Sequence, residues 1–153
     1  MKTITVEWFY FDKDGRTCSR CKSSAENVRN VVRKVSTPLK NIKIDIELKE
    51  IPLPESEIQK SNTIKINGAD IGVILDNGRS IMTKCDDCSD LVGKEVVCTA
   101  YNYKGKDSDI ISEQMVEDAI LAMVASPSAK AKAEAHAQVI CDCKDECSGS
   151  HPV

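Results

Sequence analysis

The spacing of apolar and polar positions changes several times along the chain, and each change marks an element. Residues 3–11 run from Thr3-Ile4-Thr5-Val6-Glu7 into four successive aromatics, Trp8, Phe9, Tyr10 and Phe11. A run apolar on both faces predicts a central strand covered on both sides. Asp12-Lys13-Asp14-Gly15 predicts a turn. Its start resembles a calcium-binding EF-hand loop, but the twelfth position holds Ser23 where such a loop needs a glutamate. From Ser19 to Ser36 the period becomes helical, with Ala25, Val28, Val31, Val32 and Val35 on one stripe. Thr37-Pro38 should end that helix, because proline disfavours helical geometry in the residue before it. Strict alternation follows: Ile42, Ile44, Ile46 and Leu48 against Lys43, Asp45, Glu47 and Lys49. That is the mark of a half-buried strand, and strand–helix–strand makes a βαβ unit.

The next segments are shorter. Ile51 to Pro54 reads as a loop, Glu55 to Lys60 as a short helical turn, and Thr63 to Ile66 as a strand. Asn67-Gly68 is a strong hairpin signal, which makes Ile71 to Leu75 the returning strand. Asp76-Asn77-Gly78 marks another turn. Val96 to Tyr103 alternates, with Val97, Tyr101 and Tyr103 on one face and Val96, Cys98 and Ala100 on the other. Lys104-Gly105-Lys106 turns it back. A second helix begins near Ser112, a good N-cap, and Ile111 can staple against Val116. Its buried stripe is Val116, Ala119, Ile120, Met123 and Val124. Composition shifts after Ala125. Alanines alternate with Lys, Glu and other polar residues, which favours a solvated helix over a strand. It leads into the tail CDCKDECSGSHPV. The expected organisation is a domain over residues 1–125 and an extension over 126–153.

Composition narrows the functional classes. Apolar residues make up 41% and charged residues 29% of the 153, enough for a real core. The net charge of −3 argues against charge-driven nucleic-acid binding. No apolar run nears the ~20 residues needed to cross a bilayer, and no secretory signal opens the chain. A cytoplasmic protein without membrane or nucleic-acid partners is expected. No phosphate loop, nucleophile elbow or HExxH motif occurs. The two histidines, His136 and His151, both lie in the tail, which disfavours a Cys–His or Ser–His pair in the core.

Cysteine changes the picture most. There are eight, at 18, 21, 85, 88, 98, 141, 143 and 147. Without an export signal they point to redox or metal chemistry. Cys18-Ser19-Arg20-Cys21 lies after the first strand, at the start of the first helix. Helix N-termini stabilise thiolates, and Arg16, Arg20 and Lys22 add positive charge. Cys18 is expected to be the attacking thiolate and Cys21 the resolving thiol. A structural or metal-ligating pair is the alternative.

Cys85, Cys88 and Cys98 form a second group. They suit zinc or another soft metal, with a fourth ligand from elsewhere. Asp86 and Asp87 should raise the pKa of the thiols beside them. A Cys85–Cys88 disulfide or relay pair, or Cys98 as a buried apolar residue, remain open alternatives. The third group is Cys141, Cys143 and Cys147, whose Cys-x-Cys suits soft-ion chelation or thiol exchange, against a plain solvated tail.

The order strand, Cys-x-x-Cys at a helix start, alternating strand, then Ser61-Asn62-Thr63-Ile64-Lys65-Ile66-Asn67-Gly68 resembles the thioredoxin superfamily. Residues 3–125 are similar in outline to small cysteine-rich thioredoxin-like domains of bacteria and archaea, with Cys85, Cys88 and Cys98 as the second cysteine cluster. The resemblance implies an α/β fold, a thioredoxin-like mixed sheet with flanking helices, here with a helical cysteine-rich C-terminal extension. It implies no substrate. Asn62 stands where that superfamily carries a proline facing the Cys-x-x-Cys. That departure weakens the expectation of efficient oxidoreductase activity and favours metal binding.

Three functions are therefore expected in turn. The first is thiol–disulfide exchange at Cys18 and Cys21, needing no cofactor, with a protein disulfide or thiol reductase as partner. The second is thiolate binding of zinc, copper(I), mercury or arsenic(III) for buffering, delivery or detoxification. The third is a non-catalytic domain whose cysteines serve stability.

Overall fold

The computed structural model describes residues 2–17 and 19–125. Strand β1 (Lys2–Phe11) is central, as its apolar sequence requires. It pairs in parallel with β2 (Ile44–Leu53) and antiparallel with β3 (Thr63–Ile66), which pairs with the two-residue β4 (Ala69–Asp70). The mixed sheet has the order β2-β1-β3-β4. A second sheet, β5 (Gly78–Lys84), β6 (Val97–Tyr103) and β7 (Lys106–Ser108), is antiparallel. The helices are α1 (Ser19–Asn41), α2 (Ile71–Ile74), α3 (Asp86–Val92) and α4 (Glu113–Ala125). This is the expected α/β class, a mixed sheet with helices beside it.

Several sequence expectations need correction. In β1 the burial alternates: Ile4, Val6 and Trp8 are buried, whereas Phe9 and Tyr10 are only partly covered. The strand is central in its hydrogen bonding but shut from solvent on one face. Tyr10 instead stacks on Trp8, with ring centroids 4.6 Å apart.

Helix α1 does not stop at Thr37. It runs through Pro38 to Asn41. Leu39 explains the extension, since it is buried and continues the stripe of Val28, Val31 and Val35. Burying a leucine contributes about 1.5–3 kcal/mol, which offsets much of the cost of one proline. Replacing Pro38 with alanine restores a helical N–H. It should raise stability by about 1–2 kcal/mol, the helix gain less the lost rigidity of the unfolded chain. Urea denaturation of the P38A variant checks this; an unchanged or lower midpoint contradicts it.

Strand β2 begins at Ile44, leaving Ile42 exposed, and continues through the Ile51–Leu53 stretch read as a loop. Pro52 is tolerated there because β2 is an edge strand, hydrogen-bonded on one side only. The 3-10 turn Glu55–Lys60, β3 and the Asn67-Gly68 turn form as expected.

The returning strand ends after Asp70, and residues 71–74 are helical. The Asp70 carboxylate caps the helix by accepting from the Gly72 N–H at 2.8 Å. Gly72 also lies against β5: a Cβ there would sit 2.6 Å from the Ser80 nitrogen. The close approach of α2 to β5 thus requires glycine.

Strand β6 is buried on both faces from Cys98 to Tyr101, so its alternation does not separate a wet face from a dry one. Ser112 caps α4 through its hydroxyl, which accepts from the Met115 N–H at 3.1 Å. Helix α4 packs on α1, and the side-chain amide of Asn27 donates to the Ile111 carbonyl at 2.8 Å. Among the described residues no helix is long and apolar enough to cross a membrane. The expected solvated helix and cysteine-rich tail lie outside the described residues.

Candidate thiolate site

Three thiols converge at the end of the second sheet, where β5 leads into α3 and β6 begins. The Sγ atoms of Cys85, Cys88 and Cys98 all lie within 4.8 Å of one another. Each residue is buried: Cys85 is 3% exposed, Cys88 and Cys98 0%. Among the described residues no other group of three or more Cys, His, Asp or Glu side chains converges in this way.

Local structure explains the convergence. Cys85 follows β5 and is the N-cap of α3. Its sulfur accepts from the Cys88 N–H at 3.4 Å, so the three-residue offset returns Cys88 to the same side. The Cys85 carbonyl accepts from the backbone N–H and the hydroxyl of Ser89, at 3.0 and 2.7 Å. Gly93, at φ +76°, closes the short helix. The Cys85 N–H donates to the Val96 carbonyl at 3.1 Å, bringing the start of β6 alongside. Cys98 then enters the cluster from β6, opposite Thr83 of β5. Its thiol donates to the Ile58 carbonyl at 3.7 Å.

The electrostatics favour the protonated state of Cys98 in the metal-free protein. Its hydrogen bond with Cys85 and its burial push the thiol up, to about 12. Cys88 and the nearby Arg20 guanidinium act in the opposite direction.

Arg20 braces the cluster. It is only 7% exposed. Its guanidinium donates to the carbonyls of Lys84 at 2.9 Å and of Cys98 and Thr99 at 3.5 Å each. These are the residue before Cys85, Cys98 itself and the residue after it. Asp109 lies 3.6 Å away and also accepts from the Thr83 hydroxyl at 2.8 Å. The sequence expectation places Arg20 among the positive charges around Cys18. Among the described residues, its donors go to the strands that carry the second cluster.

Cys21 occupies a neighbouring position. It is 0% exposed, in the first turn of α1, with its sulfur 3.0 Å from the Ser61 hydroxyl oxygen. That oxygen accepts from the Phe11 N–H at 2.9 Å, and the Ser61 carbonyl accepts from the Thr99 N–H at 3.1 Å. Ser61 therefore connects β1, Cys21 and the residue beside Cys98. Cys18, Cys141, Cys143 and Cys147 lie outside the described residues.

Ser61, and the side-chain bonds of Asn62, are not among the features the sequence expectations assign to a site. Both are 0% exposed. Asn62 holds φ +76° and donates to the Asp109 carbonyl at 2.9 Å and the Thr99 carbonyl at 3.4 Å. The signal was there: a polar Ser-Asn-Thr triplet opens an otherwise apolar strand. Buried polar residues of that kind are kept for their hydrogen bonds.

A shallow cleft of about 250 Å³ reaches the cluster from outside. Cys85 forms part of its wall, with Arg20, Asp86, Asp87 and Asp109 around it.

Comparison with known proteins gives a family. Residues 4–120 match the family described as "Domain of unknown function (DUF2703)". An uncharacterized protein of Archaeoglobus fulgidus is 23% identical over 117 residues, covering 74% of this chain and 82% of the archaeal one. No solved structure matches the chain.

Proposed function

The chain belongs to the DUF2703 family, and we propose that it binds a thiophilic metal ion through Cys85, Cys88 and Cys98. The observation that carries this reading is the convergence of three buried sulfurs within 4.8 Å. Sulfurs at such separations can meet one ion at the ~2.3 Å of a zinc–thiolate bond. Thiolates select soft ions, so zinc, cadmium, mercury or copper(I) are the chemical class. Buffering or delivery of such an ion is the role we propose, supported by the cleft that reaches Cys85. Anaerobic titration of the reduced protein with cadmium, followed by thiolate-to-metal absorption, tests it. One tightly held equivalent is expected; no absorption change overturns the reading.

Binding should strengthen as pH rises. The ion needs thiolates, and the Cys98 thiol, raised to about 12, holds its proton through the neutral range. Each proton displaced makes the apparent affinity about tenfold greater per pH unit. Cadmium dissociation constants at pH 6.5 and 7.5 should therefore differ by about tenfold or more. Equal values contradict proton displacement.

A second reading is thiol–disulfide exchange at Cys18 and Cys21 with a protein disulfide. Its support is the position of Cys21 in the first turn of α1, directly after the central strand, with Ser61 of the pre-β3 segment against its sulfur. The parallel β1–β2 pair and the antiparallel β3–β4 hairpin agree with a thioredoxin-like sheet. Insulin reduction lost in Cys18→Ser supports exchange; no turnover by the unmodified chain argues against it.

A further inference from the structure

The charge held beside the three thiols selects among the ions they could take. Three thiolates carry three negative charges into a site whose residues are 0–3% exposed. Uncompensated charge there is costly. Arg20, 7% exposed and fixed by its bonds to the Lys84, Cys98 and Thr99 carbonyls, supplies one positive charge that cannot swing away. The other charged groups around the cleft are exposed side chains: Lys84, Asp86 and Asp87, with Lys84 paired to Glu95 at 3.2 Å. Asp109 faces Arg20, but its side chain is 58% exposed, so water screens most of its charge.

We infer that Arg20 is the specificity-determining residue of this site and makes it a site for a divalent thiophilic cation. This rests on the thiolate-binding reading above. Three thiolates, one guanidinium and one divalent ion sum to zero. Copper(I) would leave one negative charge, and trivalent arsenic one positive charge. The two binding reactions also differ in their protons. A divalent ion displaces three thiol protons to solvent and leaves an anionic trithiolate complex, which Arg20 neutralises. Arsenous acid, As(OH)₃, condenses with three thiols to a neutral complex and three waters, and gains nothing from the guanidinium.

The test uses the full reduced chain with Cys141, Cys143 and Cys147 replaced by serine, so that tail thiols do not compete. Dissociation constants for cadmium and for arsenite are measured in this chain and in its Arg20→Gln and Arg20→Lys variants. Removing a buried unit charge should weaken cadmium binding by about 10- to 100-fold in Arg20→Gln. Arsenite affinity should fall in Arg20→Gln only by what loss of the fork costs, staying within about threefold of its value in Arg20→Lys, since its complex is neutral. Arg20→Lys keeps the charge and loses the fork, so both ligands weaken together and their ratio stays within about threefold. A purely structural role for Arg20 lowers both ligands equally in Arg20→Gln, and that result overturns the inference. Unchanged cadmium affinity overturns it too. If Arg20→Gln fails to fold, the Arg20→Lys ratio decides, and a collapse of that ratio refutes the role of charge. If the parent chain binds neither ligand, the thiolate-binding reading itself fails.

Discussion

Replacing Cys98 with serine should leave the protein folded and weaken cadmium binding by more than about 100-fold. That exceeds the 10- to 100-fold that loss of a merely supporting group costs. Cys98 joins the cluster from β6, whereas Cys85 and Cys88 come from one turn of chain at the start of α3. Without it, two sulfurs three residues apart remain, and the ion loses the ligand that ties the two strands together. The fold should survive because serine is close in shape. Its hydroxyl is shorter than the thiol that now donates to the Ile58 carbonyl at 3.7 Å, and a small shift of the chain brings it within reach of that acceptor. Circular dichroism establishes folding, and cadmium titration reads the loss. Affinity within about threefold of the parent would show that Cys98 is only a buried apolar residue.

Replacing Asn62 with proline, the residue that the thioredoxin resemblance would expect here, should unfold the protein rather than improve it. Proline fixes φ near −65°, whereas Asn62 stands at +76°. The Asn62 N–H donates to the Phe9 carbonyl at 2.7 Å, a bond proline cannot make. Its side chain serves the Thr99 and Asp109 carbonyls, and no other group replaces it. Each buried group left unpaired costs about 1–3 kcal/mol. With the backbone mismatch, the total approaches the whole stability of an ordinary domain, about 5–15 kcal/mol. Asn62→Gly is the control. Glycine accepts the positive φ and keeps the N–H, so only the side-chain bonds are lost. Its melting temperature should fall but a cooperative transition remain. A cooperatively folded Asn62→Pro variant would contradict this account of the Ser61–Thr63 turn.

Much of the fold was legible because local signals agreed with burial. The run of residues 3–11 marked a strand that is central in its pairing, though covered on one face only; the valine stripe marked α1, and Ser112 caps α4. Errors arose where a distant contact outweighed a local preference. Buried Leu39 carries α1 through Pro38. Gly72, pressed against the β5 backbone, turns the expected returning strand into α2. The cluster was legible as Cys85, Cys88 and Cys98, since spacing alone brought two of them together. That Cys98 would arrive from a strand buried on both faces was not. Arg20 was seen as a charge near Cys18 and not as the brace of β5 and β6, because its partners are carbonyls 64 to 79 residues away. No sequence pattern announces a bond to a remote backbone atom.

Native mass spectrometry tests the central claim most directly. The reduced full-length chain, with Cys141, Cys143 and Cys147 replaced by serine, is mixed anaerobically with cadmium and its bound ions are counted. One ion per chain is predicted, lost when any of Cys85, Cys88 or Cys98 is also replaced by serine and kept when Cys21 is. A chain that binds no cadmium, or that keeps it through all three single replacements, contradicts the thiolate site.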